Sequence, residues 1–258
     1  MKKYSLVIIS ISLFFLGGCK KFLDTSPADK YTQDNYWQTQ ERALAALNGV
    51  YASLMGNGLY GGTTPLYFEN FSPNSYHYSG DDNSIATGQH NANTAFFNNT
   101  WKSAYGGIGR ANNLIANIDQ VPMVDSVIRR YKAEAKFLRA VYYFPLWNLF
   151  GGAPLILDAT DDATQATLPR NTAAELLTQI LKDLDEAAAD LPASYSGTDK
   201  GRATRGAALS FKTRVLLYAG RNQEAATTAK EVITGKKSIL CFPTIAGCFT
   251  WKMKATRK

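Results

Sequence analysis

Apolar residues recur at helical spacing through the middle of the chain. Between Asp125 and Leu155, the residues Ile128, Tyr131, Ala135, Leu138 and Tyr142 fall three or four apart, so they share one helical face. Asp125 is the expected N-cap, its carboxylate placed to accept from a free amide of the first turn. Gly151-Gly152 followed by Pro154 reads as the stop, since Gly tolerates left-handed dihedrals and Pro cannot continue a helix. Pro145 stands inside the run. Its missing N–H and its ring predict a kink or an end at that point.

The same spacing predicts further helices. Thr39 opens one, with Glu41 near its positive end and Leu44, Leu47, Tyr51 and Leu54 on its buried face, and Gly56 and Gly58 end it. Trp101, Tyr105, Ile108, Ile115 and Ile118 define another that stops before Pro122. Gly106, Gly107 and Gly109 within it do not complete a GxGxxG pattern and follow no strand. They read as small residues that let two helices approach. Thr172 to Glu175 is a capping box, followed by Leu177, Ile180, Leu184, Ala187 and Leu191 on one face. Thr204 starts a helix that ends at Gly220, and Asn222 caps a last one containing Ala225, Ala229, Val232 and Ile233. Leu209, Thr213, Leu216, Gly220, Ala225, Ala229 and Val232 fit the large and small sites of a tetratricopeptide unit, and equally those of an ordinary antiparallel helix pair. Residues 57–97 show no lasting period and read as a long, aromatic-rich irregular loop with short strands. The expected fold class is all-α.

Charge narrows the partners. The formal net charge is +7, but Lys2 and Lys3 and six basic residues within 236–258 supply it, and neither segment holds an acid. The rest carries 20 basic against 21 acidic residues, so the body is not basic and nucleic acid is not an expected partner. Lys2 and Lys3 precede the apolar run Tyr4 to Leu16, too short to span a membrane and right for an export signal. Leu16-Gly17-Gly18-Cys19 has the pattern of a lipoprotein cleavage site, which makes Cys19 the candidate lipid anchor. The other cysteines, Cys241 and Cys248, and the two histidines form no metal pattern.

Several of these motifs occur in the order of one family. The order of basic-acidic helix, aromatic run, Phe150-Gly151-Gly152 and Pro154-Leu155 resembles the signature helix of the SusD/RagB family of surface nutrient-binding lipoproteins, partners of TonB-dependent transporters. Cys19, Phe22-Leu23-Asp24 and Pro27 resemble the mature N-terminus of that family, and Trp101, Tyr105, Ile108, Ala111 and Asn112 a second internal motif. The resemblance implies a helical-repeat architecture, with residues 1–18 as signal peptide, 19–31 as lipidated tether and 32–235 as the helical region. It implies a lipid-anchored, surface-facing outer-membrane protein that captures oligosaccharide and passes it to a SusC-like TonB-dependent transporter. A peptide-capturing relative and a helical-repeat adaptor without a small ligand are the alternatives. Where the family has Gly-x-Tyr-x-Leu, this chain has Gly235 to Leu240, and residues 236–258 are acid-free. The expectation is therefore a chain truncated or frame-shifted after about Gly235.

The chemistry points to binding. No Gly-x-Ser-x-Gly, His-Glu-x-x-His or P-loop occurs, and His77 and His90 lack neighbours for a catalytic or metal site, so neither an enzyme nor a cofactor is expected. From Tyr60 to Trp101, aromatic residues alternate with Asn, Asp, Gln and His. Rings can cover the apolar face of a sugar while amides and carboxylates bond its hydroxyls. Tyr76 and Tyr78 are the candidate ligand-binding rings, with Asp81, Asp82 and Asn83 as hydroxyl partners. Most of the other aromatics are expected to pack the loop against the helices.

Overall fold

A computed structural model describes residues 33–62, 64–72, 75, 81–159, 165 and 167–234. The signal, the tether with Cys19, and the tail from Gly235 lie outside the described residues. The chain divides after Trp37. Of the first unit, the described part is helix α1, Gln33–Tyr36, followed by Trp37, whose ring meets that of Tyr36 edge-on at 5.2 Å.

The second unit is helical, with no strand among its described residues. Its helices are α2 (Gln40–Ala52), α3 (Thr64–Asn70), α4 (Asp81–Ala86), α5 (Ala95–Asn117), α6 (Asp125–Phe150), α7 (Ala173–Asp190), α8 (Arg205–Tyr218) and α9 (Asn222–Thr234). Helix α6 is central and packs against α2, α5, α7 and α8. Beyond it, α7 packs on α8 and α8 on α9, so consecutive helices stack as antiparallel neighbours.

Helix α6 buries Tyr131, Ala135, Leu138 and Tyr142 as its spacing predicts. Two details differ. Val124 is the N-cap and Asp125 the first helical residue, where its charge meets the positive end of the helix without a side-chain cap bond. The helix also passes through Pro145 to Phe150 and stops at Gly151, whose φ is 71° and whose N–H bonds the Trp147 carbonyl at 3.0 Å. One backbone bond is lost at Pro145, and the burial of Leu146 beyond it offsets that loss.

Two readings of the segment before α5 are corrected. Among its described residues the span 57–97 holds no strand and is not a continuous loop. It contains α3 and α4, and α5 begins at Ala95 rather than near Trp101. These short helices are stabilised by what they pack against, which no local period reveals. Thr100 ties down the start of α3: its hydroxyl donates to the Gly58 carbonyl at 2.7 Å, and Gly58 N–H donates to Thr64 Oγ1 at 2.9 Å. On α2 the deepest residues are Ala43, Leu47 and Val50, so the buried face is rotated from the expected one, and Leu44, Tyr51 and Leu54 are half-buried. The caps at Thr39, Thr172 and Thr204 form as expected, with the full capping box at Thr172 and Glu175.

Of the glycines on α5, Gly107 sets the approach to α6. A Cβ there would lie 2.5–2.7 Å from ring atoms of Tyr142. Gly106 is different, for a Cβ there would meet nothing within 4 Å. Its helical cost of about 1 kcal/mol relative to Ala is not offset by packing.

Charged groups inside the helix stack are paired. Arg139 on α6 donates two bonds to Asp183 on α7, at 2.8 and 2.7 Å, and a third to Asn112 Oδ1 on α5 at 2.8 Å. Asn112 in turn donates to the Ile156 carbonyl at 2.7 Å. Burial pulls the Arg139 guanidinium down, but the Asp183 carboxylate outweighs it and holds the group above its ordinary value. Glu134, fully buried, accepts from Tyr51 Oη at 2.8 Å, Tyr195 Oη at 3.2 Å and Arg202 Nη1 at 3.2 Å. The α6 tyrosines reach outward too: Tyr142 donates to the Val50 carbonyl, and Tyr143 to that of Ile156 at 2.9 Å.

Candidate functional site

Between Tyr60 and Trp101, the rings of Tyr67, Phe68, Phe71, His90, Phe96, Phe97 and Trp101 join one array on α5. Phe96, 3% exposed, is the hub, with Phe71 at 5.1 Å, Phe68 at 5.7 Å and Tyr67 at 6.0 Å. Phe97 carries the array outward to His90 at 5.3 Å and Phe150 at 6.1 Å. Phe150 meets Trp101 at 5.1 Å, and Trp101 meets Tyr105 at 5.1 Å. Phe97, Trp101 and Tyr105 step by four along α5 and therefore form one row. Each is half-buried, as is Phe150. Tyr105 is anchored by donating to the Pro154 carbonyl at 2.8 Å, and burial raises its phenol pKa.

The inner rings, Phe96 with Phe71 and Tyr67, are packing residues, as expected for most of this segment. The outer row is half-buried, and Gln89, His90, Asn91, Asn93 and Asn98 in the surrounding chain are exposed. Rings with an exposed rim of amides supply an apolar surface and hydrogen-bonding groups side by side.

Tyr76 and Tyr78 lie outside the described residues. Asp81 and Asp82 open α4, but their side chains are likewise outside the described set. Asn83 is half-buried on the same helix, and its carbonyl accepts from the Thr87 amide at 3.0 Å and the Thr87 hydroxyl at 2.8 Å. Helix α4 packs against α3 and α5, so Asp81 to Asn83 stand on the elements that carry the array. Sequence reasoning missed Phe150. Its position in Phe150-Gly151-Gly152 signals the end of α6, and only packing brings its ring between Phe97 and Trp101. Among the described residues no group of three or more His, Cys, Asp or Glu could hold a metal ion, and no helix is long and apolar enough to cross a membrane.

A stack of antiparallel helices with a half-buried aromatic row on one helix edge belongs to the class of helical-repeat scaffolds. Comparison with known proteins narrows it. Residues 21–217 match the SusD-like family model described as starch-binding and associating with the outer membrane. The chain belongs to this SusD-like family, whose members bind carbohydrate and are not catalysts. It is 29% identical over 249 residues to a SusD-like protein of Formosa agariphila, covering 92% of this chain and 47% of that protein. A SusD-like protein structure from Bacteroides fragilis superposes with a TM-score of 0.70 at 28% identity, covering 81% of this chain and 41% of the other. A laminarin-binding SusD-like protein superposes with a TM-score of 0.70 at 31% identity, covering 77% and 44%. The chain spans about half the length of the curated relatives it matches.

Proposed function

We propose that this chain captures oligosaccharide at the outer-membrane surface without transforming it, and passes it to a SusC-like TonB-dependent transporter. The observation that carries the reading is the half-buried row of Phe97, Trp101 and Phe150 in a segment rich in exposed amides. Tyr76, Tyr78, Asp81, Asp82 and Asn83 are further ligand-binding residues of this reading. Residues 1–18 direct export, Cys19 carries the lipid, residues 19–31 tether the helical region 32–235 to the membrane, and residues 236–258 are an aberrant tail. Family membership supports the carbohydrate class, and the laminarin-binding neighbour adds a β-glucan to the ligands worth testing.

Calorimetric titration of the full chain with starch and laminarin oligosaccharides tests the reading. One of them is expected to bind, and Trp101→Ala is expected to weaken it about tenfold, the loss of one well-placed aromatic contact. Circular dichroism checks that the variant stays helical. Absence of binding across a broad glycan panel would sink the proposal.

A further inference from the structure

Three hollows in the second unit differ in their charge. The groove between α7, α8 and α9 holds about 410 Å³, and its charges satisfy one another: Lys212 with Asp185, Arg221 with Glu224, Lys182 with Glu186. The crevice beside Tyr60, Phe68 and Phe144 is apolar, with room for only about 50 Å³. The third is an open-sided notch of about 410 Å³ between α5 and the turn Ser53–Gly56, and its lining holds two cations and no acid.

The notch is built on one stripe of α5. Lys102, Gly106 and Arg110 step by four, so the glycine lies between the two cations. Arg110 is held in place by donating to Ser53 Oγ. Neither Lys102 nor Arg110 has an acidic partner among the described residues. Ser103 donates its hydroxyl to the Asn57 carbonyl at 2.8 Å, which leaves its oxygen lone pairs to accept.

Gly106 is the second, independent observation. A glycine inside an exposed helix costs about 1 kcal/mol relative to Ala, for which close packing or a positive φ can be the reason. Packing gives none here, because the space where its Cβ would stand is empty. Its φ is not positive, so the backbone does not demand glycine either. What the missing side chain does is keep the floor of the notch clear between two unpaired cations. The volume lies within the ~300–1,000 Å³ range of small-molecule sites, more than a bare anion needs.

We propose that this notch binds a sugar residue carrying a sulfate or carboxylate, with Lys102 and Arg110 on the anionic substituent and Ser103 on a ring hydroxyl. The proposal rests on the saccharide reading above and adds to it a subsite for an acidic substituent on the bound polysaccharide. Arginine suits this role because its planar fork pairs with two oxygens of a sulfate or carboxylate.

The test is titration of the full chain, at low salt, with dextran sulfate, uncharged dextran of matched length and polygalacturonate. The acidic polymers are expected to bind at least about tenfold tighter than dextran, with the difference fading as salt rises. Lys102→Gln and Arg110→Gln are each expected to cut that preference about fivefold. Gly106→Gln is the decisive variant: it fills the notch, leaves the net charge unchanged and favours the helix. It should abolish the preference, and general attraction to a basic chain cannot imitate that result. Equal binding of dextran sulfate by the parent and Gly106→Gln would overturn the proposal. The saccharide reading would survive if Trp101→Ala still weakened a neutral glycan. Inorganic sulfate competing at the concentration of the sulfated sugar itself would overturn the saccharide part. No binding to any polymer, charged or neutral, would remove both readings.

Discussion

Adjacent glycines on α5 have opposite roles, and this is the sharpest test at the scale of single residues. Gly107→Ala drives a methyl into the Tyr142 ring and is expected to cost about 1–3 kcal/mol in urea unfolding, as overpacking does. Gly106→Ala meets nothing and should be neutral or stabilise by up to about 1 kcal/mol. Asp183→Ala strands the buried Arg139 guanidinium and should cost about 3–5 kcal/mol. The tyrosines set an alkaline limit. Burial raises Tyr51, Tyr105, Tyr142 and Tyr195 and pushes Tyr143 up to about 12. Unfolded phenols ionise near ~10, so the unfolded chain releases these protons first. The stability they contribute is full below that pH and lost as pH rises toward the folded values. The urea midpoint should therefore fall between ~pH 9 and ~pH 11, with the tyrosinate absorbance of the buried phenols appearing as the chain unfolds. Carboxylates act with the opposite sign. Lys136 holds Glu186 low, and Arg202 does the same for Asp199. Their contribution is present above the unfolded carboxylate values and is lost as pH falls through the depressed folded ones.

At the scale of elements, caps and burial divide the work. Helix α8 has little amphipathic contrast, with Leu217 and Tyr218 exposed at its end, so its start depends on Thr204, whose hydroxyl accepts from the Ala207 amide at 3.2 Å. Thr204→Ala is expected to cost about 1 kcal/mol by thermal or urea unfolding, with the loss centred on α8 in amide exchange. Helix α6 shows the converse, since its contacts carry it through Pro145, where local propensity alone would end it.

For the whole molecule, the outer faces of α8 and α9 leave apolar surface uncovered. Leu217 is 54% exposed, Tyr218 61% and Ile233 75%. Such patches mark interaction or aggregation surfaces when they are contiguous. Changing Leu217, Tyr218 and Ile233 to Gln, Gln and Lys is expected to raise the concentration at which the chain stays monodisperse in light scattering. Because these side chains contribute little to the core, the unfolding midpoint should hardly move. An unchanged tendency to aggregate would place the responsible surface elsewhere.

Sequence alone determined that α2 and α5 to α9 are helices, that Thr39, Thr172 and Thr204 cap α2, α7 and α8, and which family the chain belongs to. These follow from short-range chemistry: a 3.6-residue period, a hydroxyl facing an amide three residues on, and motifs whose order survives divergence. Tertiary structure decided the rest. It passed α6 through Pro145, turned part of an apparent loop into α3 and α4, and made Glu134, Arg139 and Asp183 interior groups. Arg139 and Asp183 stand 44 residues apart, and nothing local to either distinguishes a buried pair from two solvated charges. The same holds for the outer aromatic row, where Phe150 reaches Trp101 from 49 positions away. Periodicity reports which face of a helix is apolar, while the identity of its neighbour is set by packing, and both the candidate surface and the notch at Gly106 exist only between neighbours.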